Sequence, residues 1–263
     1  MKQRILTAVI AGIPFIFFIV IGGIPFTILI ILLALIAMSE LLKMMKFAYL
    51  SPVSIFGFLL MLVIVFPEEW YVKVFPFFEN KFDMLIVVLL LLLLLTVVSK
   101  NKISFHDAAF VFMSALYVGV GFYFFHLTRA MDNGLALFFF VLFNIWATDS
   151  GAYFIGRALG RKKLWPEISP KKTVEGAIGG IASALVLTVI FQWIHPLFAF
   201  PKAIAAALII AVFGQMGDLV ESALKRHYGV KDSGNILPGH GGILDRFDSL
   251  IFVLPILHVL QLV

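Results

Sequence analysis

The sequence predicts an all-α polytopic integral membrane protein of about nine transmembrane helices, with the N-terminus cytoplasmic and the C-terminus outside. Three observations predict it. First, 62% of the 263 residues are hydrophobic and only 13% are charged, whereas a soluble domain is roughly half apolar and about a quarter charged. Second, the apolar runs are unbroken, as over 84–98. Strands of a membrane barrel would alternate, so the runs read as helices. Third, threading nine spans with the N-terminus inside puts 16 of the 20 Lys and Arg residues on the cytoplasmic side. Only Lys73, Lys81, Arg129 and Lys202 fall outside, a strong positive-inside asymmetry.

The spans run over 5–22, 24–42, 50–66, 84–99, 107–126, 133–156, 174–194, 202–225 and 243–262. Each is near the ~20 residues that cross a bilayer core. The first is read as a retained helix rather than a cleaved signal, because a second span follows almost at once. Residues 39–47 extend the second helix into the cytoplasmic headgroup layer, where Lys43 and Lys46 meet lipid phosphates. Residues 68–83, with Trp70 and Tyr71, read as an aromatic interfacial loop on the outer side. In the seventh span Gly176, Gly180 and Ala184 recur every four residues, a small-residue stripe for close helix packing. It also suggests a homodimer. The absence of cysteine excludes disulfides and thiolate ligands, and the +5 charge follows from topology rather than from a nucleic-acid partner.

Polar residues stand out against this background, because charges within hydrocarbon are unfavourable and mark functional sites. Asp149 lies about two turns before the cytoplasmic end of its span and fits the wall of a water-filled cavity. Asp218, Glu221, Ser222 and Lys225 share one helical face. Asp245 and Asp248, three apart, open the last span directly after a Gly-His-Gly-Gly turn (239–242). Glycine lets backbone N–H groups approach phosphate oxygens, and a helix N-terminus favours an anion. Two carboxylates there would repel a phosphate unless a metal lay between them, which predicts a bridging Mg²⁺. The basic 157–176 loop adds Lys171 and Lys172, suited to neutralising a triphosphate. Its Glu175 suits a cation, a lysine or a ribose hydroxyl. His106, His126, His195 and His258 lack ligand-like partners and read as interfacial or packed.

The 27-residue stretch 222–248 carries Ser222, Lys225-Arg226, Lys231-Asp232, Pro238, His240-Gly241-Gly242 and Asp245-Arg246-Phe247-Asp248 in register. In this it resembles the bacterial-type phosphatidate cytidylyltransferase, or CDP-diacylglycerol synthase, family. The segment around Trp146, Asp149, Ser150, Ala152 and Tyr153 and the SPKKTVEG string at 169–176 resemble family segments less specifically. The resemblance implies that CTP and phosphatidate give CDP-diacylglycerol and pyrophosphate at the inner (cytoplasmic) membrane, and the charge asymmetry puts the 157–173 and 222–248 stretches, and with them the site, on the cytoplasmic side. It implies a scaffold of lipid-facing helices over 1–126 and a catalytic region over 127–263, with cytoplasmic loops 157–173 and 226–242. Lys225, Arg226, His240 and Asp248 would be catalytic. Asp218, Asp245 and Asp248 would hold Mg²⁺, with a second, monovalent cation such as K⁺ at the same acids. Substrate contacts would come from Asp149, Lys171, Lys172, Glu175, Ser222, Lys231, Asp232, Gly241, Gly242 and Arg246. Alternatives are a CTP-dependent transferase acting on an archaeal-type ether lipid or a polyprenol, and, with less support, a secondary transporter, since no inverted repeat is visible.

Overall fold

A computed structural model describes residues 2–263, with side chains described at Leu6, Thr7 and from Val9 onward. The side chains of Lys2 and Arg4, counted above among the cytoplasmic cations, lie outside the described residues. The chain forms α1 (Lys2–Ile21), α2 (Gly23–Met44), α3 (Pro52–Val65), α4 (Glu68–Val74), α5 (Lys81–Val98), α6 (Phe105–Ala130) and α7 (Gly134–Leu159). A hairpin of β1 (Lys163–Trp165) and β2 (Ser169–Thr173) follows, then α8 (Val174–Ile194), α9 (Phe200–His227) and α10 (Leu244–Val259).

Each of the nine predicted spans is a helix. Among the described residues six of these helices, α2 and α5 to α9, are long and apolar enough to cross a membrane, so the protein is a predominantly helical, multi-pass membrane protein. Of the remaining three, α3 and α10 are shorter. α3 has 14 residues. Ser51 caps it by accepting the Ser54 N–H, Pro52 occupies its first turn, and it stops at Phe66, whose backbone is extended before Pro67. α1 has 20 residues, and among its described residues Val9–Ile21 is an unbroken apolar stretch. α10 has 16 residues, about 24 Å at 1.5 Å per residue.

Two stretches read as loops contain regular structure. Within 68–83 lies α4, with Glu68 and Glu69 in its first turn, where acids complement the helix dipole. Within 157–173 lies the antiparallel hairpin, pairing Lys163 with Thr173 and Trp165 with Ser169.

The chain divides into two compact units, Met1–His126 with Ser233–Leu244, and Leu127–Asp232 with Asp245–Val263. In the first, α2 packs on α1 and α3, and α3 on α5. Gly57 lies against Val111 and Met38, and Gly119 against Ile64, so the helices there meet closely. Lys81 ties the end of α3 to the start of α5. Its Nζ donates to the Phe66 carbonyl at 2.6 Å and pairs with Glu68 at 3.1 Å.

In the second unit α7 and α8 form the most extensive helix pair, and α9 packs on both. The predicted small-residue stripe makes this pairing. A Cβ at Gly180 would meet the Thr148 carbonyl at 2.8 Å, and one at Gly176 the Ala152 carbonyl at 2.8 Å; Ala184 is fully buried. The stripe is therefore used inside the chain. At its start Thr173 ends β2 and caps α8, its hydroxyl accepting the Gly176 N–H at 3.1 Å.

Candidate active site

The second unit brings α7, β2, α9 and the first turns of α10 around one group of charges. α9 and α10 run antiparallel in close contact. A Cβ at Gly217 would lie 2.7 Å from the Asp248 carbonyl, and the Ser249 hydroxyl donates to the Gly214 carbonyl at 3.0 Å. This approach makes Asp218, on α9, a neighbour of Asp248, on α10. The Asp248 carboxylate is within electrostatic reach of both Asp218 and Asp149.

A cavity of about 410 Å³ opens beside these acids, within the ~300–1,000 Å³ typical of small-molecule sites. Asp149, Tyr153 and Arg157 of α7, Lys171 and Lys172 of β2, and Gln215 and Asp218 of α9 line it. Lys172 Nζ pairs with Asp218 Oδ2 at 2.7 Å and donates to the Gln215 carbonyl at 3.4 Å. Asp218 Oδ1 accepts the Ser222 hydroxyl at 3.2 Å. The pocket thus offers fixed cations and carboxylates side by side, the combination that a polyanion with a cation counter-charge requires.

Farther along α9 the charges form a buried knot. Lys225 Nζ lies 2.5 Å from Glu221 and 2.6 Å from Asp245 Oδ1. Glu221 sits one turn before Lys225, the i,i+4 spacing in which a carboxylate and an ammonium meet.

The loop before α10, in the first unit, is built on an acid that the motif reading passed over. Glu40 of α2 is buried and accepts the Ser233 hydroxyl at 2.8 Å and the N–H groups of Ile243 and Leu244 at 2.8 and 2.9 Å. The anion at this helix N-terminus is the chain's own carboxylate. Gly241 has φ +88°, a left-handed conformation that suits glycine, and its N–H donates to the Leu237 carbonyl at 3.1 Å.

Residues 2–263 match the cytidylyltransferase family. The chain belongs to this family. It is 50% identical over 266 residues to a phosphatidate cytidylyltransferase of Bacillus subtilis, covering 99% of this chain and 97% of that protein. The proteins of the same name from Staphylococcus haemolyticus and Staphylococcus aureus are 45% and 44% identical over 264 residues, with 99% of this chain and 98% of theirs covered.

In this member of the cytidylyltransferase family the predicted site residues fall into several distinct places. Asp149, Lys171, Lys172 and Asp218 line one cavity, with Ser222 bonded to Asp218. Arg246 is exposed on the first turn of α10, within electrostatic reach of Asp149. Asp245 is drawn to Lys225. Among the described residues, no three His, Cys, Asp or Glu side chains gather closely enough to hold an ion by themselves. Glu175 accepts the N–H groups of Arg161 at 3.0 Å and Lys162 at 3.2 Å, so it clamps the turn into the hairpin. Arg226 is exposed and its Nε donates to the Ile168 carbonyl at 3.3 Å, tying α9 to the hairpin loop. Lys231 and Asp232 are exposed. His240, half-buried, lies with Gly241 and Gly242 in the 233–244 segment of the first unit. Arg157, Tyr153 and Gln215 are cavity residues that the sequence reading did not assign to the site. The basic stretch signalled Arg157 and the segment around Asp149 signalled Tyr153, whereas Gln215, in an apolar run, gave no signal. The histidines reading is met at two positions: His126 pairs with Thr27 and His258 with Thr128, at 2.9 and 2.8 Å.

Proposed function

We propose that this chain is a phosphatidate cytidylyltransferase, converting CTP and phosphatidate to CDP-diacylglycerol and pyrophosphate. The observation that carries the reading is the cavity in which Asp149 and Asp218 face Lys171, Lys172 and Arg157, in a chain whose relatives of that name match it from end to end. An oxygen of the lipid phosphate attacks the α-phosphorus of CTP. The new P–O bond forms as the bond to the β-phosphate oxygen breaks, and pyrophosphate leaves with the electron pair. Both reactants are anions, so the site's work is to hold them in line and offset their repulsion.

Lys171, Lys172 and Arg157 bind the triphosphate at the cavity wall. Lys172 is held ready by Asp218 and exchanges that partner for phosphate. Lys225 and Arg226 support phosphate binding from α9, with Lys231, Asp232 and Arg246 at the exposed rim and His240 as a hydrogen-bond donor. Ser222 holds Asp218 in place, and Glu175 clamps the turn into the hairpin that carries Lys171 and Lys172. No strong general base is needed, because a phosphate monoester with a second pKa of ~6 is already largely ionised.

Asp218 and Asp248 supply hard carboxylate oxygens on touching helices. That suits Mg²⁺, which keeps several waters and takes one or two carboxylates plus substrate phosphates rather than a full protein cage. Asp245, one turn before Asp248 and still paired with Lys225, would add its charge to theirs. When bound, Mg²⁺ neutralises charge on the phosphates and the leaving group. A monovalent cation such as K⁺ at the same acids is part of the proposal.

We further propose nine spans, with α1 and the shorter α3 and α10 crossing alongside the other six helices. The N-terminus is cytoplasmic, the C-terminus is outside, and the site faces the cytoplasm of the inner membrane. The positive-inside asymmetry supports this orientation. A homodimer is also proposed; the family resemblance suggests one, and the small-residue stripe that also suggested it is occupied within the chain.

Detergent-purified protein given CTP, phosphatidate and Mg²⁺ should release pyrophosphate and form CDP-diacylglycerol, identified by mass spectrometry. Release of CDP with a phosphorylated polyprenol would replace the reading with a lipid kinase. Turnover of an ether-lipid phosphate alone would change the substrate, and no pyrophosphate under varied cation conditions would end it.

A further inference from the structure

Glu40 is the one acid of α2, and the loop before α10 is arranged around it. Its two carboxylate oxygens accept the Ser233 hydroxyl and the N–H groups of Ile243 and Leu244, at 2.8 to 2.9 Å. Two glycines leave room for it. A Cβ at Gly234 would lie 2.6 Å from Glu40 Oε1, and a Cβ at Gly242 would collide with both carboxylate oxygens and the Ser233 hydroxyl. Neither glycine has a positive φ, so space rather than backbone conformation requires them. A buried carboxylate with three donors and two glycines shaped to it is an organising centre.

The bonds fall where they matter for the reaction. Ile243 and Leu244 are the residues at which the loop becomes α10, and a carboxylate at that end fixes the first turn through N–H bonds and the helix dipole. Asp245 and Asp248 belong to that helix start. We infer that Glu40 is a positioning residue for the cytidylyl-transfer reaction: by capping α10 it holds Asp245 and Asp248 in the orientation that substrate and metal binding need. The inference rests on the proposed cytidylyltransferase activity, and it assigns a role to a residue of α2 that touches neither substrate nor the reacting atoms.

The test uses full-length protein in detergent. Glu40→Gln keeps the shape and replaces one acceptor oxygen by an NH₂ donor facing N–H or O–H donors. It should lower kcat by ~10–100-fold and raise the Mg²⁺ concentration for half-maximal rate by about tenfold, the scale found when groups supporting metal ligands are removed. The KM for CTP at saturating Mg²⁺ should stay within about threefold. Amide hydrogen exchange should speed up over 240–250 and remain unchanged in α7 and α8, a readout that does not depend on activity. Gly242→Ala should give the same defect by displacing the carboxylate, and Glu40→Ala combined with Gly242→Ala should be no worse than Glu40→Ala alone. A Glu40→Gln protein within twofold of the parent in kcat and Mg²⁺ requirement overturns the inference. So does exchange that rises uniformly over all helices. If Glu40→Gln does not fold, Ser233→Ala and Gly242→Ala decide: parental behaviour in both overturns it. Absence of pyrophosphate release by the parent would instead defeat the functional reading, and the exchange measurement would still judge the cap.

Discussion

Lys172 and Lys225 each neutralise carboxylates of α9, but in different surroundings. The Lys172 and Asp218 side chains are 24% and 36% exposed, on the wall of a cavity. Those of Lys225, Glu221 and Asp245 are 11%, 1% and 5% exposed. An exposed pair contributes about 0–1 kcal/mol to stability, so the first cluster is free to exchange partners with a substrate. Breaking a buried pair leaves an uncompensated charge and costs about 3–5 kcal/mol, so the second cluster fixes how α9 and α10 meet. The same residue types serve recognition in one place and architecture in the other, although the α9 carboxylates of the two clusters, Asp218 and Glu221, are only three residues apart.

The contrast can be broken experimentally, and the largest effect is expected in the buried knot. Lys225→Met should lower stability by about 3–5 kcal/mol, because two buried carboxylates lose their cation. Thermal unfolding in detergent would register it, and adding Glu221→Gln should recover part of the loss. An unfolding midpoint equal to the parent's would show that the knot is not a stabilising centre. Asp248→Asn should reduce pyrophosphate release on the order of 10²–10³-fold, as removal of a charge-stabilising group does, with the unfolding midpoint nearly unchanged. Gly180→Leu should separate α7 from α8 and destabilise by about 1–3 kcal/mol, in the manner of overpacked contacts; an unchanged midpoint would mean that the close approach is dispensable. The smallest effect is expected at Arg226→Lys, which gives up the planar donor to Ile168. As an exposed contact it should change stability by less than about 1 kcal/mol, with a few-fold loss of rate.

Much of this could be read from the chain, because hydropathy and local spacing carry it. All nine apolar segments are helices, and Glu221 and Lys225 meet at their helical spacing. The α7–α8 contact was legible from Gly176, Gly180 and Ala184 as a packing face, though not its partner. What escaped depends on contacts distant in sequence. Glu40 and its acceptor bonds to Ser233, Ile243 and Leu244 join positions 193 to 204 residues apart, and one acid near the end of an apolar run gives no periodic signal. The hairpin of three and five residues is too short to show alternation, and its basic composition suggested only a cytoplasmic loop. The end of α3 was legible in hindsight from Pro67, which restricts the residue before it.

The most direct test of the division between an exchangeable and a fixed cluster is Lys172→Met, with CTP- and phosphatidate-dependent pyrophosphate release and thermal unfolding measured on the same preparation. The account predicts a fall in rate of about 10²-fold or more with an unfolding midpoint close to the parent's. A parental rate, or a loss of stability as large as that of Lys225→Met, would contradict it.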